Sequence, residues 1–222
     1  METAETFKYF LKIGMINPKK RKMLKKEYQI IEPFIDKPWA RLTFSQVKEC
    51  SKKKSDSYIH SRLKQFVSEK ILLEERAGNV ILYKLNLSGL KCQAYSGMIA
   101  EHIAWSSKLP DLSAIYSKIP SAFFTFIITG SYAKNTQKAG SDIDIVILCD
   151  NPKKVYSELR YACEINIPQV HLYAFNEAEF RQMLLDDKQN YGKEIARNCR
   201  IVFGAENYFR ILGEAVKNGF IG

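Results

Sequence analysis

The sequence predicts an α+β chain in two parts: a basic helical unit closed by a β-hairpin, then an α/β unit whose small mixed sheet is flanked by helices. Three observations carry that prediction. Between Thr43 and Leu85, two helical patterns separated by a short turn run into two strand patterns joined at Ala77-Gly78-Asn79. Between Phe123 and Cys149, two apolar strand patterns flank a Gly-Ser turn. The charge divides along the same line. Residues 1–90 hold 19 Lys and Arg against 10 Asp and Glu, a net of +9, whereas residues 91–222 hold 15 against 14, a net of +1.

Composition narrows the class further. The chain has 222 residues and a formal charge of +10, and 46% of its residues are hydrophobic, which supplies a core and excludes wholesale disorder. The opening residues show no basic segment followed by an apolar one, so no secretory signal is expected. The longest strongly apolar run, Ala122 to Ile128, is far short of the ~20 residues of a membrane helix. Five cysteines, odd in number and without a C-x-x-C pair, point to free thiols in a reducing compartment rather than to disulfides or zinc. The expectation is a cytoplasmic protein with no membrane partner.

Element by element, Glu5 to Ile13 reads as a short helix. A dense basic run from Pro18 to Lys26 leads into a helical segment over roughly 22–35; such a run is usually a solvated helix face. Thr43-Phe-Ser-Gln46 fits a capping box opening a helix to about Cys50. After a turn containing Lys52, Lys53 and Lys54, Ser55 or Asp56 caps a second helix to about Glu69. Ile59, Leu63, Phe66 and Val67 form its apolar stripe, and Ser57, Ser61 and Lys64 lie opposite, flanked by His60. The hairpin over 71–85 follows. Leu87 to Ser107 and Asp111 to Lys118 read as connecting helices. The predicted boundaries are 1–24, 25–88, 89–118 and 119–222.

Over 25–88, this order of helix, tight turn, helix and hairpin resembles the winged helix-turn-helix family of DNA-binding domains. The resemblance implies that the second helix enters the major groove, with Ser57, Ser61 and Lys64 facing bases and His60 at the edge. Lys52, Lys53, Lys54 and Arg76 would then meet phosphate. Winged helices also dock proteins, but the +9 charge favours double-stranded DNA, because neutralised phosphates release counterions.

The second half carries the chemistry. A buried strand, Phe123 to Thr129, runs into Gly130-Ser131, where glycine lets the backbone approach a ligand and a short helix presents free N–H groups to an anion. On the next strand, Ser141 to Cys149, Asp142 and Asp144 are spaced i, i+2 and project from one face, with Ile143, Ile145 and Ile147 on the other. Two acids opening an apolar strand call for a cation, and hard oxygens beside a phosphate suit Mg²⁺.

Gly130-Ser131-x-Ala133 followed by Ser141-Asp142-x-Asp144 resembles the active-site motif of the DNA polymerase beta-type nucleotidyltransferases, most nearly their minimal domains, over roughly 110–215. The resemblance implies an enzyme that moves a nucleoside monophosphate from ATP or another NTP to an acceptor. Gly130, Ser131, Lys134 and Ser141 would bind the nucleotide. Asp142 and Asp144 would be catalytic, holding Mg²⁺ or Mn²⁺. Two departures stand out. Lys134-Asn135 replaces the family's usual Arg-Gly. In Gln169-Val-His-Leu-Tyr173, His171 takes the place of the third carboxylate, leaving only Asp150 or Glu164 nearby in sequence as substitutes. Histidine is a poor ligand for Mg²⁺ and acceptable to softer metals. A second reading is therefore a DNA-binding transcriptional regulator with a degenerate, nucleotide-sensing transferase domain. A protein acceptor and a homodimer are compatible with either. Three histidines and no G-x-S-x-G, Walker or H-E-x-x-H pattern give other hydrolytic chemistries no support.

Overall fold

Backbone hydrogen bonding sorts the strands into two separate small sheets, one of three strands and one of four. The structure is a computed structural model that describes residue 24 and residues 26–222. The expected helix over 5–13, residues 18–23 of the basic run and Lys25 lie outside the described residues. The chain is a mixed α+β protein whose sheets are flanked by helices. By backbone contacts it divides into two compact units, each continuous in space but not in sequence.

The first, a helix–hairpin unit, comprises 24–100, 178–198 and 204–222. Helix α1 (Tyr28–Ile35) packs on α2 (Phe44–Ser51) and α3 (Asp56–Ser68). Thr43 caps α2 as the sequence predicts: its hydroxyl accepts from the Gln46 N–H, and the Gln46 side chain accepts from the Thr43 N–H at 2.8 Å. Ser55 caps α3, whose Ile59, Leu63 and Phe66 are buried. Strands β2 (Leu72–Ala77) and β3 (Val80–Leu85) form the hairpin, and the two-residue β1 (Leu42–Thr43) pairs with the far side of β3, giving the order β1-β3-β2. The hairpin turns on Gly78-Asn79. Gly78 has φ +59°, the left-handed value that a two-residue hairpin loop needs at its first position.

The C-terminal helices belong to the same unit. A β-carbon at Gly97 in α4 (Leu90–Ser106) would lie 2.7 Å from the Glu206 backbone nitrogen, and one at Gly213 2.6 Å from the Leu87 carbonyl oxygen. Glycine at both places lets α10 (Ala205–Lys217) approach at backbone distance. Helix α10 then buries Tyr208, Phe209, Ile211, Leu212 and Ala215, while Arg181 of α8 (Glu177–Leu185) pairs with Glu214 at 2.8 Å. The short α9 (Tyr191–Arg197) completes this unit.

The second, a sheet unit, comprises 101–177 and 199–203 among the described residues. Its sheet runs β6-β5-β4-β7, from β4 (Phe124–Thr129), β5 (Ile143–Cys149), β6 (Val170–Phe175) and β7 (Arg200–Phe203). Strand β4 is antiparallel to β5 and β7, and β5 is parallel to β6, so the sheet is mixed as expected. The parallel pair is joined by the crossover helix α7 (Pro152–Glu164), as parallel strands require. Ile143, Ile145 and Ile147 meet Val155 and Leu159 of α7 and Ile115 of the one-turn α5 (Ser113–Tyr116) in a single apolar core. Burying one such aliphatic side chain is worth roughly 1.5–3 kcal/mol, so this face holds the sheet unit together. No helix among the described residues is long and apolar enough to cross a membrane.

Candidate functional site

Strand β4 ends where its backbone must turn over the edge of β5. Gly130 makes that turn with φ +66° and opens the one-turn helix α6 (Gly130–Ala133). No side chain caps α6, so its first N–H groups are left for another partner. Gly130 also faces Asp144, and a β-carbon there would collide with the Asp144 carboxylate. The backbone is thus held against the acid, at the one residue type that leaves room for it. Ser131 is half-buried, and its carbonyl accepts from the Thr136 N–H at 2.9 Å, which closes the loop that follows.

Asp144 lies in β5, opposite Thr129 of β4. Asp142 precedes the strand, which begins at Ile143 rather than at Ser141 as the sequence predicts. The reason is local. Residues 138–141 form a turn in which the Ser141 N–H donates to the Lys138 carbonyl at 3.0 Å, and the Ser141 hydroxyl accepts from the Lys138 N–H at 2.9 Å. Ser141 therefore braces the loop that delivers Asp142. Lys134, at the end of α6, is exposed on the same loop. Beyond Asp144, Val146 and Leu148 are buried as well as the isoleucines, so β5 is covered on both faces and only its start is open.

The third member comes from β6. Parallel pairing sets His171 directly beside Asp144. Its Nδ1 lies 3.4 Å from Asp144 Oδ1 and its Nε2 3.7 Å from Asp142 Oδ2. The imidazole thus faces both acids. Side-chain exposures of 46% for His171, 50% for Asp142 and 29% for Asp144 leave the trio accessible. Of the substitutes that sequence proximity allowed, one lies far from the acids and the other is already paired. Asp150 follows the opposite end of β5, roughly 20 Å from Asp144 at the usual rise of a strand. Glu164 pairs with Arg160 at 2.7 Å.

A cavity of about 320 Å³ opens beside His171, between α7 and β6, and is lined among others by Tyr156, Arg160, Glu164 and Tyr173. Apart from Glu164, no sequence pattern singles these residues out, because the crossover connection is what brings α7 alongside β6. Cys163 also lines the cavity, but burial pushes its thiol up to about 11, which leaves it protonated and inert at neutral pH.

The donor set can be tested against a divalent cation. Mg²⁺ keeps several waters and is held by one or two carboxylates together with substrate phosphates. Asp142 and Asp144, accessible and beside uncapped N–H groups, fit that pattern. Among the described residues no group of three or more His, Cys, Asp or Glu forms a ready metal cage.

In the helix–hairpin unit, Ser57, Ser61 and Lys64 are exposed along one face of α3, and Arg76 is exposed on the hairpin. Lys52 and Lys54 are exposed in the turn before α3, and Lys52 adopts the left-handed conformation that ends α2. Two residues have local partners that sequence did not reveal. Lys53 donates to the Gln29 side chain, and the His60 ring stacks on Phe44 with centroids 4.0 Å apart.

Comparison with known proteins bears on the sheet unit. The family described as "Nucleotidyltransferase domain" matches residues 117–201, a span that holds Gly130, Ser131, Asp142, Asp144 and His171. No curated protein matches the chain. Among solved structures, a chain of "Crystal structure of the toxin-antitoxin with AMP-PNP" is similar at 16% identity, over 48% of this chain and 83% of that one, with a TM-score of 0.34. The family match supports a transferase.

Proposed function

We propose that this chain is a divalent-metal-dependent nucleotidyltransferase, transferring a nucleoside monophosphate from ATP or another NTP to an acceptor hydroxyl. The observation that carries the reading is the Gly130 turn, seated against Asp144 without room for a side chain, inside the span that matches the transferase family. The N–H groups at Gly130 and Ser131 would receive the terminal phosphates, and Lys134 would add a positive charge at the loop. Asp142 and Asp144 would hold Mg²⁺ or Mn²⁺, which when bound supplies charge neutralisation at the α-phosphate. The acceptor oxygen would bond to the α-phosphorus as the bond to pyrophosphate breaks, and the hydroxyl proton would leave to solvent.

The helix–hairpin unit supports an accompanying role. We read it as a winged helix whose α3 enters the major groove through Ser57, Ser61 and Lys64. Lys52, Lys54 and Arg76 would lie on phosphates. His60 and Lys53 would contribute less, since each is engaged within the protein.

Transfer of label from α-³²P NTPs tests the enzyme. Asp142→Asn and Asp144→Asn should each abolish it while circular dichroism stays unchanged. A wild-type protein inactive with all four NTPs, with Mg²⁺ and Mn²⁺, toward nucleic-acid and protein acceptors alike would overturn the reading. One observation favours the alternative, a regulator that only senses nucleotide: His171 stands where a third acid would otherwise activate the acceptor. That alternative predicts nucleotide-dependent DNA binding without any transfer.

A further inference from the structure

We infer that two copies of this chain associate through strand β6, pairing edge to edge about a two-fold axis at Leu172 so that one sheet continues into the other. The inference stands apart from the transferase reading. It rests first on backbone bonding. The Ile143 N–H donates to the Gln169 carbonyl at 2.9 Å, which fixes the alternation of the parallel ladder. His171, Tyr173 and Phe175 turn their backbone groups toward β5, and Val170, Leu172 and Ala174 turn theirs outward. Strand β6 ends the strand order, and among the described residues no hydrogen bond reaches those outward groups. The opposite edge differs. There the four-residue β7 has its Val202 carbonyl engaged by the Trp105 indole N–H at 2.9 Å. Strand β6 is longer and holds no Lys, Asp, Glu or Pro, the residues that keep an exposed edge from pairing.

The charges beside that edge select the occupant. Helix α7 crosses back between parallel strands, so it runs opposite to β6. Its exposed Lys153 shares a face with Tyr156, Arg160 and Glu164, and the last three line the cavity that opens along the edge. Glu164 therefore lies toward the start of β6 and Lys153 toward its end. A two-fold axis reverses that order. It sets Lys153 of each copy opposite Glu164 of the other, and Tyr156 opposite Arg160, where a cation can rest on the ring. Arg160 stays compensated by its own Glu164 at 2.7 Å. In the same register Leu172 faces itself and Val170 faces Ala174 of the second copy, so the outward N–H and C=O groups satisfy one another. A strand from another protein could bond to the same edge, but a second copy brings the matching charges as well. The pairing also reaches the site: Tyr173 of the second copy comes to lie across from His171, on the face that carries Asp144.

Sedimentation equilibrium of the full chain reads the inference. The wild type should be a dimer, and hydrogen exchange at the Leu172 and Ala174 amides should slow as concentration rises. Ala174→Pro removes an N–H that the chain's own sheet does not use, so it should keep the wild-type circular dichroism and sediment as a monomer. Lys153→Glu and Glu164→Lys should each dimerise about tenfold less well, because both facing pairs become repulsive. Mixed together they should recover, since the heterodimer has opposite charges at both pairs. A wild type still monomeric at about 100 µM would overturn the inference. So would a dimer that persists in a folded Ala174→Pro, or charge variants that stay monomeric when mixed. If Ala174→Pro fails to fold, the mixing experiment decides. None of these outcomes depends on label transfer, so the transferase reading stands or falls separately.

Discussion

Gly130→Ala puts the geometry of the site to its sharpest test. Two separate costs meet there. The first is backbone strain: φ is +66°, and a non-glycine residue held in that region costs of order 1–3 kcal/mol. The second is steric, because the new methyl would occupy the position of the Asp144 carboxylate. Either the acid swings away or the turn shifts, and overpacking of this kind adds typically 1–3 kcal/mol. Gly140→Ala is the matched control. It has φ +81° and no atom within 4 Å of the added carbon, so it carries strain without collision. Urea denaturation of the two variants should place Gly130→Ala roughly 1–3 kcal/mol below Gly140→Ala. Mn²⁺ titration should show binding lost in the first and near wild type in the second. If the two variants match in both measurements, Gly130 is not seated against a metal-binding acid.

Three further outcomes are expected. Thr43→Ala removes the hydroxyl that accepts from the Gln46 N–H, keeping the backbone half of the α2 capping box, and should cost ~1 kcal/mol in a denaturant titration, an effect that Thr43→Ser would largely spare. Lys52→Ala and Arg76→Ala should each weaken binding to duplex DNA for all sequences alike and lower the log–log salt slope by about one, as for phosphate contacts; Lys53→Ala, already tied to Gln29, should lower it less. Burial holds the His102 pKa below its ordinary value, so the folded chain binds that proton less readily than the unfolded one. Its contribution to stability is full above pH ~6.5 and is lost as the pH falls through the depressed folded value. Thermal melts at stepped pH should show that acid-side loss diminished in His102→Gln.

Much of the helix–hairpin unit was legible because its signals are local. A threonine three residues before a glutamine, an apolar stripe at i, i+4 and i+7, and a glycine at a hairpin turn each act through atoms only a few residues apart. The active-site turn was legible for the same reason, since Gly130 and Asp144 sit in adjoining segments of one strand–turn–strand. The start of β5 was misplaced by two residues. The turn over 138–141 uses the backbone of Ser141, so pairing cannot begin before Ile143. The stacking of His60 on Phe44 escaped notice because it joins two helices.

By itself, then, the sequence determined the helices and hairpin over 43–85 and the strand–turn–strand over 123–149, where the basic charge concentrates, and that two aspartates stand beside a glycine turn. It also marked His171 as the residue at the place of a third acid. Only the tertiary structure decided that His171 faces both Asp142 and Asp144, and that the C-terminal helices group with the helix–hairpin unit. The division has one physical cause. Capping, periodicity and turn geometry depend on neighbours along the chain, whereas strand register and helix docking depend on how distant segments bury their apolar faces together.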